Sequence, residues 1–198
     1  MNLQRNFSLF TLLIILLLPV ACTEKEAIST SGVLEIAIIP QPDKVTRKSG
    51  SFEINMNTII VAENEDPDVQ HVLNYLNERF EKVAGFRLAS GASSKNAIVF
   101  VMDKAIQNDE GYHLNIDSKQ IKISASEPTG FFYGVQTLMQ LLPPEIYANT
   151  VQQNISWIVP TVEIEDAPRF SYRGLHLDVG RHFFNVAEVK KYIDALAF

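Results

Sequence analysis

The chain has 198 residues, 46% of them hydrophobic, and carries 17 Lys and Arg against 23 Asp and Glu for a net charge of −6. That length holds one domain, or one domain with part of a second, and the hydrophobic share suits a packed core rather than a disordered chain. No basic cluster stands out, which argues against nucleic acid as a partner, because phosphate binding needs concentrated positive charge.

The N-terminus reads as an export signal. Arg5 supplies the positive charge, an apolar run follows over residues 9–18, and small residues lead to Cys22. The run is shorter than the roughly 20 apolar residues that a membrane span requires. Cys22 is the one cysteine, so no internal disulfide and no cysteine metal cluster can form. The stretch Leu18, Pro19, Val20, Ala21, Cys22 resembles the lipobox of bacterial lipoproteins, with Pro19 where that motif usually has leucine. The resemblance implies that Cys22 is lipidated and becomes the mature N-terminus, anchoring the protein to a membrane without crossing it. The expected location is the cell envelope. The rival reading is a plain signal peptide with a chance cysteine. Residues 23–32 are polar and small and read as a tether.

Beyond the tether, residues 34–39 predict a strand ended by Pro40 and Pro42, and residues 51–54 and 58–62 two further short strands. Residues 66–84 predict a helix, with Val69, Val72, Leu73, Leu76, Phe80 and Val83 as one apolar stripe. Asp66 and Asp68 near its start suit the helix dipole, and Gly85 supplies its C-terminal stop. Residues 90–96 read as a loop and 97–102 as a buried strand. Tyr112, Leu114 and Ile116, then Ile121 and Ile123, alternate with polar residues around a turn at 117–120, which predicts a hairpin. Residues 126–130 read as a break. A second helix is expected over 131–142, with Phe131, Val135, Leu138, Met139 and Leu142 on one face, ended by Pro143 and Pro144.

The expected architecture is an α+β domain over residues 33–160, a connector over 161–168, and then a change of character. Residues 174–179 predict a strand. Asn185 with Glu188 predicts a capping box opening a helix, whose apolar face is Val186, Val189, Ile193 and Leu196. Strand followed by helix is how a parallel α/β unit begins. With no further element to complete its sheet, the unit over 161–198 reads as the first strand and helix of a truncated second domain. A lone strand of that kind leaves backbone groups unpaired and apolar surface exposed, so poor order is expected past about Arg169.

Reactive side chains are densest over residues 173–184, which hold Arg173, His176, Asp178, Arg181 and His182. In parallel barrels functional groups collect at the C-terminal strand ends, and Asp178, Arg181 and His182 fall there. The planar fork of an arginine can hold two neighbouring hydroxyl oxygens, and an adjacent aspartate can orient it. The alternative is a structural Asp178–Arg181 ion pair. Arg173, at the other end, reads as a stabilising ion-pair partner. His176 and His182 lack a third ligand, so metal binding is not expected. Asp109 and Glu110 form an adjacent acidic pair in a polar loop and read as a solvated turn. The sequence has no dinucleotide, P-loop, zinc-protease or nucleophile-elbow motif.

Three stretches carry a family resemblance. Residues 110–116, 121–125 and 130–138 resemble the N-terminal domain of family 20 glycoside hydrolases, the β-N-acetylhexosaminidases. Residues 167–170, 172–174 and 177–183 resemble the start of that family's (β/α)8 barrel, and residues 39–42 its usual domain start. The resemblance implies a glycan substrate with a terminal β-linked N-acetylhexosamine and no cofactor. It implies retaining, substrate-assisted hydrolysis, in which the acetamido oxygen is the nucleophile, a Glu is acid and base, and an Asp holds the acetamido group. The arginine of the Arg-His-Phe motif, here Arg181, then binds hydroxyls of the sugar, with Asp178 and His182 as supports. Nothing in this sequence matches the family's catalytic Asp-Glu pair, so no catalytic residue is assigned and residues 1–198 alone are expected to be inactive. The competing readings are a non-catalytic lipoprotein module that binds glycan or a protein partner, and another glycosidase family with a similar front domain.

Overall fold

The structure is a computed structural model, and it describes residues 36–62 and 65–197. The export signal, Cys22, the tether and the first residues of the expected strand at 34–39 lie outside the described residues.

Among the described residues, seven strands form one mixed sheet. In chain order the elements are β1 (Lys44–Ile54), β2 (Ile59–Ala62), α1 (Pro67–Ala84), β3 (Ala89–Ser90), β4 (Ala97–Met102), β5 (Tyr112–Ile116), β6 (Gln120–Ala125), α2 (Pro128–Leu141), a 3-10 turn (Pro144–Tyr147), β7 (Trp157–Asp166) and α3 (Val186–Ala197). The strand order is β1-β7-β5-β6-β4-β2-β3. The β1, β7, β5 and β6 pairings are antiparallel, whereas β6–β4, β4–β2 and β2–β3 are parallel. Alternation sorts the two faces. Tyr112, Leu114 and Ile116 of β5, with Ile121 and Ile123 of β6, enter the core, while His113 and Lys122 face outward.

Helix α1 forms where its apolar stripe requires it. Val69, Val72, Leu73, Leu76, Phe80 and Val83 are all buried. Asp66 caps the N-terminus, its Oδ1 accepting from the Asp68 amide at 2.8 Å, and Pro67 occupies the first turn where its missing N–H costs nothing. Gly85 ends the helix at φ 75°, in the left-handed region that residues with a Cβ avoid. Phe80 meets Trp157 edge-on, tying α1 to β7.

Helix α2 begins at Pro128, earlier than the expected 131, because proline is a good first helical residue rather than a break. It lies against β5 and β6, and α1 lies against it. Two glycines allow the approach. A Cβ on Gly130 would stand 2.2 Å from the Gly111 carbonyl oxygen, and one on Gly134 would stand 2.6 Å from an Ile123 methyl.

Three sequence expectations are corrected. Residues 36–39 form no strand. They are held instead by Gln140 of α2, whose Oε1 accepts from the Ile39 amide at 2.8 Å while its Nε2 donates to the Ile39 carbonyl at 3.1 Å. The connector expected over 161–168 is for the most part strand: β7 runs through Pro160 to Asp166, pairing with β1 and β5. The α+β domain therefore continues past the expected boundary at residue 160. Residues 174–179 form no strand, so the expected first barrel strand is absent among the described residues, although the helix after it is present. A strand needs a neighbour for its amides and carbonyls, and no described strand lies beside this segment.

Smaller differences concern the first strand and the loop after α1. β1 starts at Lys44, not at residue 51, with a register shift between Arg47 and Ser51. Its outward charges pair with β7, Lys44 with Glu165 at 2.7 Å and Lys48 with Glu163. Ala89 and Ser90 make a short parallel pairing to β2 where a loop was expected to begin.

Two substitutions separate cavity cost from backbone cost. Leu76 is fully buried, and Leu76→Ala should destabilise the chain by about 3 kcal/mol through lost burial and the cavity left. At Gly85 an added Cβ would make only an ordinary 3.6 Å contact with Val151, so Gly85→Ala should cost about 1 kcal/mol from the left-handed φ alone. Denaturant midpoints at constant m-value check both.

Candidate functional site

The segment from Ala167 to Asn185 leaves the sheet and leads to α3. Two arginines organise it. The first is Arg181. Asp178 Oδ2 accepts from its Nε at 2.7 Å and lies 2.7 Å from its Nη2 in an ion pair, and Asp178 Oδ1 accepts from the Gly180 and Arg181 amides at 2.9 and 3.4 Å. The carboxylate closes the turn and holds the guanidinium by one Nε hydrogen bond and an ion pair. The Arg181 side chain is 91% exposed, so the fork is presented outward rather than packed away. The Arg181 guanidinium, followed by the two backbone amides, holds the Asp178 carboxyl below the usual carboxylate range.

His182 packs edge-on against Phe184, with ring centroids 4.9 Å apart, and Phe183 is exposed. The Tyr192 hydroxyl reaches back from α3 to the His176 carbonyl at 3.4 Å. The capping box forms as expected: Asn185 Oδ1 accepts from the Glu188 amide at 3.0 Å, and Glu188 Oε2 accepts from the Asn185 amide at 2.9 Å. Among the described residues, no three of His, Cys, Asp and Glu are grouped to hold a metal ion.

The second arginine is Arg173, and its ion-pair role is as expected. Its partner is not. Arg173 Nη2 donates to Glu110 Oε1 at 2.5 Å and Nη1 to Glu110 Oε2 at 3.1 Å. Glu110 therefore does not sit in a merely solvated turn, which corrects the sequence reading of that acidic pair. Tyr133 of α2 closes a triangle: its hydroxyl accepts from Arg173 Nη2 at 2.8 Å and donates to Glu110 Oε1 at 3.3 Å. The Arg173 guanidinium also lies 5.5 Å from the Tyr133 ring centroid and donates to the Phe170 carbonyl. Glu110 and Tyr133 lie 63 and 40 positions from Arg173, so no local spacing could have announced them.

Beside this triangle opens a cleft of about 620 Å³. Its walls include Ile38, Gln136, Phe170 and Leu196. Tyr112 stands buried in its lining, sharing a 2.5 Å hydrogen bond with Thr137 and donating to Asp166 at 3.2 Å, and burial pushes its phenol pKa up. Residues past Arg169 expose Phe170, Tyr172, Leu175, Val179, Phe183, Val186 and Ile193, and α3 buries no side chain. The expectation of poor order past Arg169 takes no account of the Arg173 tie.

The triangle should respond to acid. Arg173 beside Glu110 holds that carboxyl below the usual range, although partial exposure lets solvent screen the pair. A depressed carboxyl contributes stability that is complete above its unfolded pKa and is lost as pH falls through the lower folded value. The loss therefore begins near pH 4.5 and deepens below it. Glu110→Gln should lower the thermal midpoint at pH 7 and converge with the unsubstituted chain toward pH 3. A difference that stays constant across this range would contradict the assignment.

Residues 35–167 match domain 2 of glycosyl hydrolase family 20, and residues 170–198 match the catalytic domain of the same family. The beta-hexosaminidase of Porphyromonas gingivalis is 37% identical over 166 residues, covering 82% of this chain and 21% of that protein. The chitooligosaccharidolytic beta-N-acetylglucosaminidase of Bombyx mori is 28% identical over 172 residues, covering 80% and 28%. Among solved structures, the Streptomyces plicatus N-acetyl-beta-hexosaminidase in complex with Thio-NAglucal aligns with a TM-score of 0.73 at 35% identity, over 80% of this chain and 31% of that one. The Bacteroides fragilis beta-N-acetylhexosaminidase aligns at 0.62 and 26%, over 81% and 31%. The chain spans less than a third of the length of each of these four relatives. With one family model over the sheet domain and a second over the segment that follows, this chain belongs to glycosyl hydrolase family 20.

Proposed function

We propose that this chain is the front part of a β-N-acetylhexosaminidase, which removes terminal β-linked N-acetylhexosamine from glycans with retention, using the substrate's acetamido oxygen as nucleophile. The observation that carries the reading is the in-order match of the sheet domain and of the Arg181 segment to two parts of one family. The residue-level support is the Asp178–Arg181 pair. An exposed guanidinium held by a carboxylate at its Nε and Nη2 is pre-aimed, so less side-chain entropy is lost when it meets two sugar hydroxyls.

The acid–base and acetamido-orienting carboxylates have no counterpart among residues 1–198. Asp109 and Glu110 cannot replace them. Glu110 is held ionised by Arg173, the opposite of what a general acid requires. Arg181 therefore binds and orients substrate, while Asp178 and His182 support it. At the N-terminus, the export signal and Cys22 support a lipid-anchored protein of the cell envelope, placed where glycans reach it from outside.

Three outcomes are expected. Purified 1–198 releases no nitrophenol from nitrophenyl N-acetylglucosaminide, and clear turnover would contradict the assignment of catalysis to residues outside it. In a chain extended through the rest of the catalytic domain, Arg181→Gln lowers kcat/KM roughly a hundredfold, the loss of about 3 kcal/mol of charged hydrogen bonding to hydroxyls. Expressed in a bacterium, the protein fractionates with membranes and incorporates labelled palmitate, and Cys22→Ala abolishes both; unchanged labelling in that variant would rule out this anchor.

A further inference from the structure

The described residues join the Arg181 segment to the sheet domain by few polar contacts. The hydrogen bonds seen among them between residues 167–197 and residues 36–166 all run from Arg173, to Glu110 and to Tyr133. Arg169 adds an ion pair to Asp43 at 3.6 Å, with both side chains largely exposed. Arg173 differs in kind from that contact. Its fork meets both oxygens of one carboxylate, its charge lies against the Tyr133 ring, and the Tyr133 hydroxyl bonds both partners. Arg173 and Glu110 are also each about two-thirds buried, with side-chain exposures of 36% and 31%, against 75% and 55% for Arg169 and Asp43.

The position of this triangle in the chain gives it leverage. Between β7 and α3 the chain makes no strand pairing that would locate it, and past Arg173 its side chains are mostly exposed. Glu110 lies two residues before β5, and Tyr133 lies within α2, so both partners are carried by elements of the packed core. A two-oxygen, two-nitrogen contact restricts orientation as well as distance, which a single point contact does not.

We propose that Glu110 and Tyr133 are positioning residues: by holding Arg173 they fix where the segment bearing Asp178 and Arg181 stands relative to the sheet domain. The sheet domain then acts as the base against which the sugar-gripping arginine is registered. The consequence for sugar binding rests on the function proposed above for Arg181, whereas the tie itself does not.

The test measures position directly. In residues 1–198 with Cys22→Ser, paired spin labels are placed at Val101 on the exposed side of β4 and at the exposed Phe183, and their distance distribution is read by pulsed dipolar spectroscopy. A second pair, at Val101 and Met56, lies wholly within the sheet domain. We expect a confined distribution for the first pair that broadens at least twofold in Glu110→Gln and, to a smaller degree, in Tyr133→Phe, while the second pair does not change. The double variant E110R/R173E should be narrower than either of its single variants. A first-pair distribution that is already broad without the substitutions, or that Glu110→Gln leaves unchanged, would overturn the proposal. Broadening of both pairs together would also overturn it, because it would mean general unfolding rather than release of one segment. These results involve no sugar. If the tie fails, the Arg181 reading stands on its own assay, and an extended enzyme whose kcat/KM ignores Arg181→Gln would sink that reading and leave the tie intact.

Discussion

The arrangement depends on how closely helix α2 lies on the β5–β6 hairpin. Gly130 and Gly134 face Gly111 and Ile123 at distances that leave no room for a side chain. A methyl group at Gly130 would have to displace a backbone carbonyl, which cannot swing aside as a flexible side chain can. The contact draws the start of α2 onto the residues just before β5. It therefore sets Tyr133 beside Glu110, and those two groups receive Arg173. A packing constraint in the core is in this way converted into a polar seat at the edge of the domain. The Thr129 hydroxyl, donating to the Asp109 carbonyl at 2.8 Å, secures the same junction from the other side.

Much of this fold could be read from the sequence, and the exceptions have physical causes. The α1 stripe was fully legible because a strong period, a capping aspartate and a terminal glycine agree. The hairpin was legible for the same reason. β1 was not, because its first half is charged on the outward face and is stabilised by pairing with β7, a partner more than a hundred positions away. The full length of β7 is hidden in the sequence because Pro160 resembles a terminator, yet the strand continues through it beside β1. Residues 174–179 show the reverse error: an apolar stretch has strand character, but pairing decides whether a strand exists.

The candidate site divides along the same line. The Asp178–Arg181 pair lies three positions apart and was visible as a local pattern. The capping box that opens α3 was visible too, since its partners also lie three apart. The ionic role of Arg173 could be guessed from its place in the chain, but Glu110 and Tyr133 come from distant elements that only folding brings together. The acidic pair at 109 and 110 for that reason reads locally as a solvated turn. Local chemistry is written in local spacing, whereas a contact that registers one part of the chain against another is not.

Whether helix α2, seated on the hairpin, builds the place where Arg173 is held can be read from solvent exchange of the Arg173 guanidinium protons, measured by NMR in the unsubstituted chain and in Gly130→Ala. Exchange should be slow in the former and markedly faster in the variant, with α1 and the β4–β6 pairing still protected. Equal exchange rates in the two chains, with the variant folded, would contradict that role of α2.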